Sequence, residues 1–579
     1  MAAILSPDAK QQFFSNAGLP AAGFKLFTYA ANTTTPQATY ANRAGTVVNT
    51  NPIILNARGE ATVYLMPGVM YGYHFVSPDG SQIWTQEDVS ADAGDASAVA
   101  FLQAGTGAVT RTSQDKMRDR VSARDYGVLA DGVTNDTLGL QAAINYCAAN
   151  EKELELPEGD MVVQAGLTIP AGGALYLRGS EAGTQGTRLV AKANAPVITV
   201  AAGQQATIEN VGFIGESDPA KTFQMGVYLN NCQNVNIRHC TFDGLYDSIG
   251  LLNTVFYSQI VDSRFFTAVR SHIRGTGTSA PGYAIRVSGC QMSYGYLGGD
   301  TLYFENAGSL VFSDVGISPA TGAGRCLRIV SNAAKSGIHQ FDNCVFEGSA
   351  LEACRIEGST IAPIKYVYFS NCYFNQSGSG ADAITLINVN NVSFVNSYVS
   401  GTGAGVTFAG ACSHVRFVNA DFPGFGTPAV FRALATAAVN HLDIFSAQYQ
   451  GANKFMDLSL IPAESIAAIK IDGGYLGTNA SPISLPSASA ASQISVNSRG
   501  FTQTRNGGIA SFNGGVSLFS IPHGLLGIPS RFGAVSNSLD AGNAEIREVT
   551  VDASFVYVQC KAGAVAGTNN VKWSWWAET

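Results

Sequence analysis

The chain has 579 residues, a formal net charge of −8, 13% charged residues, 46% apolar residues and 63 glycines. Intrinsic disorder needs low hydrophobicity and high charge, so this composition excludes it, and the Ala, Glu, Lys and Leu bias of a coiled coil is missing. An acidic, Lys- and Arg-poor chain is not expected to bind nucleic acid, which demands clustered cations to displace counterions. No run reaches 18 apolar residues, so no membrane insertion is expected. The ten cysteines include no Cys-x-x-Cys pair, which argues against a zinc site or a dense disulfide frame. They read as reduced thiols packed as small hydrophobes, and no metal or cofactor is expected.

Residues 1–92 read as a small all-β domain. The stretches Gly23–Tyr40, Asn51–Ala61 and Tyr71–Gly80 are strand-like runs broken by Gly, Pro and Asn turns. They resemble the N-terminal virion-anchoring domain of bacteriophage tailspikes and tail fibres. The resemblance implies that this part holds phage tail or adaptor proteins and does no chemistry. The opening MAAILSPDAKQQFF lacks the basic and apolar regions of a secretory signal. Residues 93–120, rich in small side chains, read as a connector with one short helix.

From 121 to 485 the chain repeats itself. An Asn-Cys-x-Phe phrase stands at Asn343–Phe346 and Asn371–Phe374. It recurs with substitutions at His239–Phe242, Asp262–Phe265, Gly289–Met292, Asn396–Val399 and Asn419–Phe422. Its fourth position sets anchors at Phe213, Phe242, Phe265, Met292, Ile317, Phe346, Phe374, Val399, Phe422, Tyr449 and Tyr475, spaced 23–29 residues apart. That period fits one coil of a parallel β-helix, whose strands pair with their equivalents about 4.8 Å away. Val235 and Ile237, or Val367 and Phe369, alternate as half-buried strands require. Cys240, Cys290, Cys344 and Cys372 fall in register with Ser263 and Ser397 as a ladder of small side chains. A leucine-rich repeat is excluded because its Leu consensus is missing.

Ahead of the repeats, Asp131-Gly132 marks a turn. Asn135, Asp136 and Thr137 cap a helix running to about Ala149, with Leu138, Leu140 and Ile144 on its apolar side. A β-helix needs such a lid over its open edge. The phrase Val121–Asn145 resembles the start of the pectate-lyase-like superfamily as found in bacteriophage tailspikes, over about Val121 to Ile483. The resemblance implies an all-β protein built on a right-handed single-stranded parallel β-helix, with small β domains at both ends. It implies a homotrimer, assembled in the host cytoplasm and carried on the virion tail. It also implies that the protein binds a bacterial surface polysaccharide, capsule or O-antigen, and hydrolyses it as an endo-glycosidase. The alternatives are a non-catalytic tail fibre or adhesin, and a polysaccharide lyase with His272 or Tyr303 as its base.

Residues 486–579 begin with a Ser/Ala-rich link and return to a β pattern through Val549, Val551, Phe555, Tyr557 and Val558. They resemble the small β modules that end many tailspikes, for trimerisation or glycan contact. Trp573, Trp575 and Trp576 read as trimer packing ahead of a sugar platform, and His523 as a turn residue.

Chemistry on a β-helix must come from outward residues. One strand aligns coil to coil as Asp247–Asn253, Val269–Gly275, Asp300–Asn306, Arg325–Ser331, Glu352–Gly358 and Asp382–Asn388. Alternation then points outward Gly250, His272, Tyr303, Arg328, Arg355 and Thr385, and beside them Leu252, Arg274, Glu305, Val330, Glu357 and Ile387. Glu305 and Glu357 sit two coils apart, about 9.6 Å between backbones. Side-chain lean brings that into the roughly 6.5–9.5 Å range of an inverting glycosidase. They are the expected carboxylate pair, with Asp300 and Asp247 as the second choice. Arg274, Arg328 and Arg355 are expected to bind substrate, and Tyr303, His272, Tyr294 and Tyr296 to orient or stack on sugars. The competing reading is that these are ordinary cross-strand ion pairs, with Asp247, Asp300, Glu352 and Asp382 satisfying turn amides.

Overall fold

The computed structural model describes residues 4–5, 11–66, 68–90, 99–183, 186–277, 283–293, 299–319, 324–332, 337–378, 380–423, 429–449, 454–475, 483–486, 493–499, 505–525 and 527–579. The chain divides into two units, Met1–Asp119 and Arg120–Thr579. In the first, a four-stranded antiparallel sheet runs in the order Ile53–Ile54, Lys25–Ala30, Tyr71–Val76, Gln82–Val89. Phe75 is fully buried there among the rings of Phe13, Phe24 and Trp84, 5.1–5.4 Å away. Between 99 and 119 the chain forms a hairpin of Ala100–Leu102 with Thr110–Thr112, followed by the short helix Ser113–Met117.

The second unit is dominated by a continuous ladder of 39 strands, Val121–Ser122 to Ile494–Arg499, making about 12 turns of a parallel solenoid. One coil carries Leu245–Leu252 on a first sheet, Ser258–Val261 on a second and Arg264–Phe265 on a third. Their equivalents one coil later are Ala268–Thr276, Ala284–Ser288 and Gln291–Ser293. The lid is the helix Thr137–Asn150, which buries Leu140, Ala143, Ile144 and Cys147. Leu138, expected on its apolar side, is 82% exposed instead. Asn135 Oδ1 accepts hydrogen bonds from the Thr137 amide and hydroxyl, while the Asp136 carboxylate turns back to the Leu129 amide.

The repeated phrase is explained residue by residue. Its Asn stands at a corner in the left-handed region, with φ of 51° at Asn343, 53° at Asn371, 50° at Asn396 and 51° at Asn419. Asn tolerates that conformation better than other side chains with a Cβ. The corner amides chain together, Asn419 donating to Asn396 and Asn396 to Asn371, each at 3.2 Å. The next residue, Cys or Ser, is buried, and its Sγ or Oγ reaches the carbonyl two residues back, across the corner. This holds for Cys240, Ser263, Cys290, Cys344, Cys372 and Ser397 at 2.9–3.4 Å. All ten cysteines are buried free thiols.

The fourth residue stacks inside. Phe213 on Phe242, Phe242 on Phe265 and Phe346 on Phe374 lie 4.8–5.0 Å apart and within 10° of parallel. Tyr475 departs from the anchor row, because its backbone pairs with Gln448 rather than Tyr449. A second row that the repeat did not reveal, Phe312, Phe341, Phe369, Phe394 and Phe417, stacks at 4.7–5.2 Å.

Residues 505–579 carry two three-stranded antiparallel sheets around their own core. Trp573 is completely buried in that core and packs on Phe519, so it is not free for trimer packing, whereas Trp576 is 48% exposed. His523 is buried and holds the turn by accepting from the Leu525 amide.

Phe369→Ala removes a ring that touches both its row neighbours and should cost about 3–5 kcal/mol. The adjacent outward Tyr368→Ala should stay within about 0.5 kcal/mol. Chemical denaturation of both variants tests the alternation, and equal losses would contradict it.

Candidate active site

The outward positions of the first sheet form two ladders. One runs Gly250, Arg274, Tyr303, Arg328, Arg355, Thr385, and the other Leu252, Thr276, Glu305, Val330, Glu357, Ile387. The strand at 268–276 therefore sits two residues away from its expected register. Arg274, not His272, stands between Gly250 and Tyr303, and Thr276 stands where Arg274 was expected. The offset is already one residue off at Leu245 with Ala268, and a one-residue bulge between Leu245 and Asp247 adds the second.

Two expected site residues leave the face altogether. His272 is fully buried, with Nε2 2.6 Å from the Ser293 carbonyl oxygen and Nδ1 3.3 Å from Ser248 Oγ. Burial pushes its pKa down to about 4, against the pull of the Ser293 carbonyl. Asp247 has no solvent exposure and forms a bidentate pair with Arg270. Burial raises its pKa, with the Arg270 guanidinium opposing. Neither side chain reaches a substrate, so both are corrected to structural roles. Tyr294 and Tyr296 lie outside the described residues.

The remaining charges close into a ring of alternating sign. Arg325 meets Asp300 at 3.2 Å and Glu352 at 2.8 Å. Arg355 meets Glu352 at 2.8 Å and Glu357 at 2.9 Å. Arg328 meets Glu357 at 3.1 Å and returns to Asp300 at 3.6 Å. Desolvation would raise the pKa of Glu357, but hydrogen bonds and charge from Arg355 and Arg328 outweigh it and hold this carboxyl below its ordinary range. Glu352 is lowered likewise against its own burial, by a backbone amide and by Arg325 and Arg355. Both guanidiniums on Glu357 bind Oε2, which leaves Oε1 without a protein partner among the described residues. Arg325 and Glu352 are the members that sequence reasoning missed as site residues. Asp382, one coil on, holds Arg432 at 2.7 Å and accepts from the Ala404 amide.

Glu305 has a different setting. Its Oε1 accepts from Asn332 at 2.7 Å, its own backbone carbonyl accepts from the buried Tyr283 hydroxyl at 3.0 Å, and no guanidinium touches it among the described residues. Gly275 makes room for the Tyr283 ring, which occupies the place of a Cβ there. Tyr303, on the same strand, lies beneath the Arg274 guanidinium at 4.0 Å and beside that of Arg328 at 5.7 Å. Burial, then the Glu305 charge, pushes its phenol pKa up. A cleft of about 620 Å³ lined by Glu151, Lys152, Tyr176 and Asn236 contains none of these groups.

No family model matches the chain, and no curated protein matches it. Among solved structures it resembles tailspike protein 3 of bacteriophage CBA120, at 13% identity and a TM-score of 0.56, covering 87% of this chain and 89% of that one. It also resembles a tailspike protein mutant of E. coli bacteriophage HK620 in complex with a hexasaccharide. The identity is 13% and the TM-score 0.50, over 83% of this chain and 97% of that one. The shared feature is the fold, the parallel β-solenoid of phage tailspikes.

His272 and His339 are both buried, and burial takes both pKa values to about 4. The unfolded chain binds their protons from about pH 6.5 downward, so their contribution is complete above that pH and is lost as pH falls toward 4. The slope is up to about 1.4 kcal/mol per pH unit per histidine. Denaturation midpoints at pH 7.5 and 4.5 should fall further for the wild type than for His339→Leu. Identical falls would contradict the burial argument.

Proposed function

We propose that the solenoid is an endo-acting, inverting glycosidase that binds a bacterial surface polysaccharide, capsule or O-antigen, and cuts it during phage attachment. The observation that carries this reading is a pair of carboxylates on one ladder, of which Glu357 is ion-paired to two guanidiniums and Glu305 to none among the described residues. Glu357 is held ionised by two guanidiniums and keeps one oxygen free to take a proton from water. Glu305, two rungs away with no guanidinium on it, is the carboxyl placed to donate to the leaving oxygen. Val330 separates them, and about 9.6 Å of ladder leaves room for the water. Breaking the glycosidic bond then consumes the proton of Glu305, while Glu357 receives the proton of the attacking water.

The fold likeness to the HK620 tailspike, whose structure holds a hexasaccharide, supports a glycan as the ligand of this fold. A lyase is less favoured, because His272 is sealed in the interior and the Tyr303 phenol is raised, away from use as a base. Asp300 and the arginines Arg328 and Arg355 support the ring around Glu357. In this reading the protein is a homotrimer on the phage tail, assembled in the host cytoplasm and attached through residues 1–92 to tail or adaptor proteins. Residues 93–120 connect that anchor to the solenoid, and 486–579 serve trimerisation or glycan contact.

Glu305→Gln and Glu357→Gln should each lower cleavage by about 10²–10⁴-fold while polysaccharide binding persists. New reducing ends, measured on a panel of purified capsular and O-antigen polysaccharides, report hydrolysis. Ultraviolet absorbance of unsaturated uronates reports elimination instead. Cleavage unchanged in both variants would remove this site, and binding without cleavage of any member would favour an adhesin.

A further inference from the structure

On the face that carries Glu305 and Glu357, one guanidinium is in no ion pair among the described residues. Arg270 is neutralised by Asp247, and Arg325, Arg328 and Arg355 by Asp300, Glu352 and Glu357. Farther along the same sheet, Arg432 is neutralised by Asp382. Arg274 has no carboxylate within ion-pair distance among the described residues. In Arg120–Thr579 the residues outside the description include no Asp or Glu, so that unit holds no further acid to pair with it. The guanidinium is nevertheless held in place, over the Tyr303 ring at 4.0 Å. Stacking on a ring fixes the plane of an arginine and leaves its N–H edge free for a bidentate acceptor. Arg274 pairs directly with Tyr303, and Thr276 with Glu305, so Arg274 is the diagonal neighbour of Glu305. Such diagonals span roughly 7–8 Å, the reach of one sugar and its substituent.

We infer that Arg274, seated on Tyr303, is a carboxylate anchor, and that the polysaccharide taken by this face is acidic, carrying a carboxylated sugar beside the one attacked. The inference rests on the glycosidase reading for its placement along the chain of sugars, but not for the binding itself. The two stacked partners supply complementary halves of the contact. The phenol ring holds the cation without neutralising it, and the substrate carboxylate provides the missing charge. Arg328 and Arg355, expected to bind substrate alongside Arg274, spend their guanidiniums within the ring, so recognition of an anion falls to Arg274.

The test uses the full chain on an array of bacterial capsular and O-antigen polysaccharides, acidic and neutral, with affinities measured by surface plasmon resonance. The polysaccharides retained should carry carboxylates. Carbodiimide–borohydride reduction of those carboxylates should weaken binding about 10–100-fold, the worth of a charge-assisted pair. Arg274→Gln should do the same, the two changes together should cost no more than either alone, and Arg274→Lys should keep part of the affinity. Equal binding of the reduced polysaccharide, retention of neutral polysaccharides only, or no retention at all would overturn the anchor. So would an Arg274→Gln loss that is the same on native and reduced polysaccharide. The glycosidase reading is read separately, from reducing ends with the Glu305 and Glu357 variants. Acidic polysaccharide held through Arg274 but never cut leaves the anchor standing without the hydrolase. A neutral polysaccharide cut through Glu305 does the reverse.

Discussion

Every feature of the solenoid depends on the lateral hydrogen bonds that pair each strand with its equivalent one coil later. The ladder holds equivalent residues about 4.8 Å apart, so each position along the coil meets its own kind again and again. That suits phenylalanine, whose rings stack at 4.7–5.2 Å along the interior. It suits asparagine too, because an amide both donates and accepts and therefore chains with its copies at the left-handed corners. The residue after each corner is buried under the same constraint, and it is Cys, Ser or Ala in most coils and Val at Val211 and Val315.

Charge is the group that the ladder suits least. Arg328 and Arg355 are directly paired, and like charges in register repel. Asp300, Glu352 and Glu357 remove that conflict by interleaving with Arg325, Arg328 and Arg355, so each guanidinium faces two carboxylates. Stability alone does not call for such an arrangement. Well-packed apolar side chains at these positions would do as well or better, whereas removal of one member from a half-buried ring strands its partner. The ring's distinctive product is a carboxylate kept ionised at a fixed place on a polysaccharide-sized face.

The period, the anchors, the cysteine ladder and most of the outward positions were legible in the sequence because they repeat. Register at 268–276 was not. A strand has a side-chain period of two, so a slip of two residues preserves the inward and outward pattern: Ser271 and Ile273 still point inside, and only the neighbours change. Nothing in the pattern marks the bulge between Leu245 and Asp247, or the register that pairs Arg274 with Tyr303. Asp247 misled for a related reason. A charged residue normally signals the surface, but Arg270, brought beside it by the bulge, allows the pair to be buried. The second phenylalanine row was hidden because it follows no fixed phrase.

The difference between the two glutamates can be traced to single rungs. Each stands two residues after a member of the neighbouring ladder, which for Glu357 is Arg355 and for Glu305 is Tyr303. Each has an arginine one coil earlier on the diagonal, Arg328 for Glu357 and Arg274 for Glu305. At Glu357 both neighbours are cations and both bind the carboxylate. At Glu305 the tyrosine contributes no charge and draws the diagonal arginine onto its own ring, away from the carboxylate. Replacing one arginine of the ladder by a tyrosine therefore does two things in the same slot. It leaves a glutamate out of ion pairing, and it seats the neighbouring guanidinium on the ring instead of on a carboxylate. Two identical side chains, one ion-paired and one not, stand on the same ladder, because a uniform ladder lets one substitution decide the surroundings of the next residue.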